Sequence, residues 1–232
     1  LSHTDLEISR LGFGCLAMGA HGWGKVDDAD SIDSVHRALD LGINFFDTAN
    51  VYGFGHSEEV LSKALGEKRK HVIIATKFGV TWDEKAQIGR DMSPKSAMSA
   101  LENSLRRLQL DCIPLYQIHW PNGKTNIEDT LETLMRCQEA GKIRYIGCSN
   151  FSPELLREAN KTYKIVSTQA PYNLVDRSIE NDVLPYCKEI NTGVFAYCAL
   201  AHGLLAGKYS AQRPDFDSED IRNRSAYFKD AK

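Results

Sequence analysis

What this sequence lacks narrows it first. Its six cysteines, at 15, 112, 137, 148, 187 and 198, include no C-x-x-C pair. That argues against a zinc site or a disulfide framework and for buried free thiols in a reducing compartment. No apolar run reaches the roughly 20 residues of a membrane span. The opening LSHTDLEISRLGFG also has neither the basic nor the apolar region of a secretory leader, so a cytoplasmic protein is expected. There is no surplus of positive charge. A formal net charge of -3 excludes nucleic acid and the membrane surface as partners expected from bulk electrostatics. No H-E-x-x-H or comparable cluster is present, and no metal is expected. Gly12, Gly14 and Gly19 miss the G-x-G-x-x-G spacing. GLLAGKY is one residue too short for a P-loop and has tyrosine where a magnesium-binding Ser or Thr belongs.

What is present is a soluble composition, 42% hydrophobic and 25% charged, in a chain of 232 residues. Short β-branched apolar runs alternate with amphipathic segments from end to end, the pattern of repeated βα units around a parallel sheet. Strands are expected near 12–15, 43–47, 71–76, 113–118, 143–148, 165–168 and 193–197. Ser93-Pro94 and Ser152-Pro153 read as N-caps followed by proline at the first helical position, and Gly42, Gly66 and Gly141 as helix stops. Met98, Leu101, Leu105 and Leu108 form a stripe at helical spacing. After Tyr197 no eighth strand is legible, and the charged run at 214–224 reads as a solvated loop. A closed eight-stranded barrel usually takes about 250 residues. The expected fold is therefore one domain over 1–232, an α/β (β/α)8 TIM barrel lacking its C-terminal eighth βα unit.

Three strands end on chemistry-bearing residues. FFDTANVYG gives Asp47 and then Tyr52, VIIATKFG gives Lys77, and LYQIHWP gives His119. In a β/α barrel, strand C-termini face one mouth, so residues distant in sequence can meet there. A tyrosine can protonate an oxygen where negative charge develops if a neighbouring ammonium brings its pKa toward neutrality, and a carboxylate can hold that ammonium in place. A histidine can orient the oxygen. Taken singly, each has a structural reading: Asp47 as a turn cap, Tyr52 as a loop aromatic, Lys77 as a surface residue, His119 as a core histidine. Taken together, four such coincidences around one mouth argue for a site.

In LGFGCLAMG, GINFFDTANVYG, ATKFG, QIHWP, IRYIGCSNF and QAPYNL, in that order, the chain resembles the aldo-keto reductase superfamily over nearly its whole length. The resemblance implies reduction of aldehydes or ketones to alcohols by NADP(H), with NAD(H) as the alternative. It implies Tyr52 as general acid, Lys77 and Asp47 as its activating pair, His119 as the orienting residue, and a hairpin over 2–11 plugging the barrel floor. Ser149, Asn150 and Gln169 resemble the residues that bind the nicotinamide carboxamide, and Tyr197 the aromatic that stacks on its ring. Cys198, Leu200, Gly203 and Leu205 would approach the pyrophosphate through their backbones, and Gly14 and Met18 would line the cofactor. Trp23, Phe54, Trp82 and Trp120 are candidate walls for a small carbonyl substrate, each with a core or surface role as its alternative. A homo-oligomer is left open. The second reading is a slow, nicotinamide-binding regulatory subunit like the potassium-channel β subunits, which share the four residues.

Overall fold

The computed structural model describes residues 1–209, 215–218 and 220–228. Seven strands form one all-parallel sheet: β1 Phe13–Gly14, β2 Phe45–Asp47, β3 Ile73–Phe78, β6 Ile113–Ile118, β7 Ile143–Ser149, β8 Ser167–Pro171 and β9 Gly193–Tyr197, in that order. Between β3 and β6 the chain inserts an antiparallel hairpin, β4 Val80–Trp82 and β5 Ile88–Arg90. Among the described residues six α-helices connect the strands: α1 Asp28–Asp40, α2 His56–Leu65, α3 Pro94–Leu108, α4 Ile127–Glu139, α5 Pro153–Thr162 and α6 Val183–Glu189. The chain is a barrel of seven parallel strands with helices outside, a (β/α)8 architecture short of one unit.

Strand alternation positions the site. Successive side chains point to opposite faces, so residues two apart share one. Phe45, Ala75, Leu115, Tyr145 and Phe195 belong to one cluster inside the barrel. Their neighbours Phe46 and Ile74 pack outward against α1 and α2, and Tyr116, Ile146 and Val194 against the remaining helices. Counting two residues on from each interior position gives Asp47, Lys77, Gln117, Gly147 and Tyr197, and two more give His119 and Ser149. The interior curls far enough for Phe45 and Phe195 to stack at 4.7 Å, although β1 and β9 are the edge strands among the described residues.

The expected punctuation is found. Ser93 and Ser152 accept hydrogen bonds from the backbone N–H of Ser96 and Leu155, and Gly42, Gly66 and Gly141 all have positive φ. Four expectations need correction. Met98 is 52% exposed, because the buried stripe of α3 is centred on Ala97, Leu101 and Leu108 and Met98 falls at its rim. No hairpin forms over 2–11. The segment plugs the floor as irregular chain, with Leu6 2% exposed against Phe45, Ala75, Leu115 and Val166. The 214–224 run is solvated at Asp215, Asp217, Ser218 and Arg224 but, in its described part, packed at its centre. Asp220 is buried and pairs with Arg222 at 2.5 Å, and the Arg222 guanidinium lies 4.4 Å from the Phe216 ring. The β4–β5 hairpin was not expected at all. No helix of the described residues is long and apolar enough to cross a membrane.

Candidate active site

The mouth of the barrel holds a buried ammonium with three partners. Lys77 Nζ donates to Asp47 Oδ2 at 2.6 Å, to the Thr48 carbonyl at 2.8 Å and to the Tyr52 hydroxyl at 3.3 Å, while Lys77 is only 1% exposed. Asp47 Oδ1 meanwhile accepts from Gln117 Nε2 at 3.2 Å and Gln169 Nε2 at 2.5 Å. His119 lies edge-on to the Tyr52 ring, centroids 5.8 Å apart, and its Nδ1 is buried without a protein partner.

Tyr52 reaches this point from a loop, not a strand. It opens the single turn Tyr52–Gly55, where Gly53 and Phe54 both take left-handed backbone angles. Gly53 packs against Gly19 of the first loop so closely that a Cβ on Gly53 would stand 2.2 Å from the Gly19 carbonyl oxygen. Two glycines therefore let the loops after β1 and β2 touch, and this contact sets where the phenol points.

Burial and charge act in opposition here. Burial disfavours the Lys77 ammonium, but the attraction of Asp47 and Tyr52 and their hydrogen bonds outweigh it, holding Lys77 above the ordinary lysine range. Burial pushes the Tyr52 phenol up, Lys77 pulls it down and Asp47 pushes it back, for a net rise. The net direction is opposite to the expected shift toward neutrality, because desolvation of the phenol exceeds the effect of one ammonium already shared with a carboxylate. Burial, then the Lys77 and Arg90 cations, keep His119 well below the ordinary imidazole range, so the ring is neutral.

The residues expected at the nicotinamide join this constellation through hydrogen bonds. Asn150 Nδ2 donates to the His119 carbonyl at 3.0 Å and to Ser149 Oγ at 2.9 Å. Tyr197 donates its hydroxyl proton to Asn150 Oδ1 at 2.8 Å, and Ser149 Oγ donates to the Gln169 carbonyl at 3.3 Å. Amides, a hydroxyl and an aromatic ring thus stand on adjacent strand ends, the donor and acceptor set that a carboxamide on a flat ring would need. Beyond β9 the backbone folds into the turn Ala201–Ala206. Leu200 is exposed, and its carbonyl takes the N–H groups of both Gly203 and Leu205. The Cys198 carbonyl accepts from Asn173 Nδ2 at 3.1 Å.

A cavity of about 230 Å³ opens over Tyr52 and His119, with Phe54 and Trp120 among its walls as expected. Leu16, Val51, Val80 and Ile88 complete an apolar lining that sequence reading missed, the last two brought by the β4–β5 hairpin. Two expected walls are elsewhere. Trp82 stands behind Phe54, ring centroids 5.4 Å apart, and Trp23 packs on His202 and Arg222. Met18, 4% exposed, is core against Cys15 and Val35, and with Gly14 it borders a separate groove of about 300 Å³ beside α1. Gln117 was also missed. It sits within an apolar strand and carries no motif, and only inward alternation from Leu115 would have found it.

A parallel βα barrel with an ammonium, a carboxylate, a phenol and an imidazole converging beside an apolar cavity defines a barrel enzyme acting on a polar group of a small molecule. The sequence model of the Aldo/keto reductase family matches residues 10–231, and the chain belongs to that family of oxidoreductases. It is 42% identical over 231 residues to the aldo-keto reductase YhdN of Bacillus subtilis (strain 168), covering 99% of this chain and 69% of that one. It is 36% identical over 222 residues to the NADH-specific methylglyoxal reductase of Escherichia coli (strain K12), covering 89% and 68%. In three dimensions it resembles the glycerol dehydrogenase AKR11B4 of Gluconobacter oxydans, with a TM-score of 0.90 at 42% identity over 100% of this chain and 72% of that one.

Proposed function

We propose that residues 1–232 act as one domain that reduces small aldehydes or ketones to alcohols, with NADP(H) or NAD(H) as the hydride source and Tyr52 as general acid. One observation carries this reading: Lys77 Nζ lies within hydrogen-bond distance of both the Asp47 carboxylate and the Tyr52 hydroxyl, and Tyr52 together with His119 lines one cavity. The bound dihydronicotinamide would supply a hydride to the carbonyl carbon, and Ser149, Asn150, Gln169 and Tyr197 would hold its ring and carboxamide.

The chain's own residues manage the oxygen. With its pKa raised by burial, Tyr52 keeps its proton at neutral pH and can give it to the alkoxide that develops on the substrate. The resulting phenolate is stabilised by Lys77, whose ammonium stays charged because Asp47 holds it. His119, neutral, aligns the carbonyl oxygen by a hydrogen bond without competing for the proton. Leu16, Val51, Val80 and Ile88 give the cavity beside these groups an apolar lining suited to the carbon skeleton of a small carbonyl compound.

The test is Tyr52→Phe assayed by NADPH and NADH oxidation with 4-nitrobenzaldehyde. Turnover should fall by about 10²- to 10⁴-fold, the usual share of general acid catalysis, while cofactor affinity measured by fluorescence titration holds. Unchanged turnover would remove Tyr52 from the role. Tight cofactor binding with negligible wild-type turnover would move the reading to the regulatory subunit.

A further inference from the structure

The loop after β9 carries a second group of reactive side chains, which carbonyl reduction leaves unused. Cys198 Sγ lies 3.1 Å from His202 Nε2, and His202 Nδ1 lies 2.9 Å from Ser225 Oγ. Trp23 and Tyr227 pack edge-on against the imidazole with centroids 5.8 and 5.4 Å away. Asn173 bonds both the Cys198 carbonyl and the Tyr227 hydroxyl, tying the two sides of the relay together. Cys198 is partly exposed at the barrel rim, and Ser225 is buried. A nucleophile, a base in contact with it and a third group orienting that base are the parts of an activated nucleophile.

We propose that Cys198 is a nucleophilic thiol with His202 as its general base and Ser225 as the positioning residue, forming a covalent modification site for α,β-unsaturated carbonyl compounds. With Nδ1–H donated to Ser225 Oγ, Nε2 is left as an acceptor for the thiol proton. Burial raises Cys198 to about 11 and lowers His202, so the pair rests as neutral thiol and neutral imidazole. Attack therefore needs the proton removed as the bond forms. In the addition, the Sγ–Cβ bond forms and the alkene π pair moves toward the α-carbon. The thiol proton passes to Nε2 and from there to the α-carbon. Nothing leaves, and no oxidant is required. This favours enones over alkyl halides: addition returns His202 to its neutral form, whereas substitution would leave an imidazolium where burial and Arg222 disfavour one.

Cys112 supplies an internal control. It too is partly exposed with its thiol raised by burial, and among the described residues no histidine lies within hydrogen-bond distance of it. The whole chain is treated with cyclohexenone, and adducts at both cysteines are followed by peptide mass spectrometry. Cys198 should react at least about tenfold faster, and His202→Gln should bring it to within about twofold of Cys112, whose own rate reports an intact fold. The pH profile separates the mechanisms. Between about pH 7 and pH 9 the Cys198 rate should stay nearly flat, while Cys112 climbs close to tenfold per unit as thiolate forms. The charged and titratable groups facing the relay are Asp176, Tyr197, Asp220, Arg222 and Tyr227. Equal rates at the two cysteines of the unaltered chain, or parallel pH profiles, would overturn the assignment. The labelling reads Cys198 whether or not the barrel reduces a carbonyl.

Discussion

Asp47 is the residue on which most of the site leans, because its two oxygens serve different partners. Oδ2 holds the Lys77 ammonium and Oδ1 receives two glutamine side chains, from β6 and from β8 across the barrel. Asp47→Asn keeps the shape but leaves a buried cation without its counter-charge, so urea unfolding should show a loss of about 3–5 kcal/mol together with reduced turnover. His119 makes a pH prediction. Folded, it stays neutral; unfolded, it titrates near pH 6.5, so below that pH the unfolded chain binds more protons. Its contribution is constant above about pH 6.5 and turns destabilising as pH falls. His119→Gln should accordingly flatten the decline of unfolding free energy between about pH 7 and pH 5. At this scale the sequence was readable where a polar residue ends an apolar run, as with Asp47, Lys77 and His119. Trp23 and Trp82 were misplaced because size and apolarity fix burial but not direction. Gln117 was silent because a single amide inside IPLYQI looks like any other strand residue.

Elements were readable in proportion to how much apolar surface they bury. The central strands β3 and β6 carry apolar runs enclosed on both faces, and α1, α3, α4 and α5 carry side-chain caps whose bonding follows from residue type. The β4–β5 hairpin escaped because its strands are three residues each, its turn is charged, and only one side covers the cavity. The part of the 214–224 segment described here looked solvated because its charges, Asp220 and Arg222, satisfy each other while Phe216 supplies the packing. The contact between the Gly19 and Gly53 loops belongs to this scale too. Gly53→Ala places a side chain in a left-handed conformation costing about 1–2 kcal/mol, and against a backbone oxygen that cannot swing away. Thermal unfolding should shift downward, and turnover should fall further than stability alone explains, since Tyr52 is the adjacent residue.

At the scale of the whole molecule the barrel has two ends with separate tasks. The strand C-termini gather polar side chains, and the opposite end is closed by residues 1–8 pressed against the interior cluster. Leu6→Ala should lower unfolding free energy by about 2–5 kcal/mol in urea while turnover per folded molecule is unchanged, because the cavity opens at the other end. The same plug bears on how the chain assembles. Leu1 would touch a Cβ at Gly193, Leu6 clusters with Val166, and Asp5 bonds Arg144 and Tyr145, so the segment's binding surface is assembled from strands translated long after it. During synthesis this segment stays solvent-bathed and unseated until the strands carrying Tyr145, Val166 and Gly193 emerge, and its docking then seals the floor they enclose.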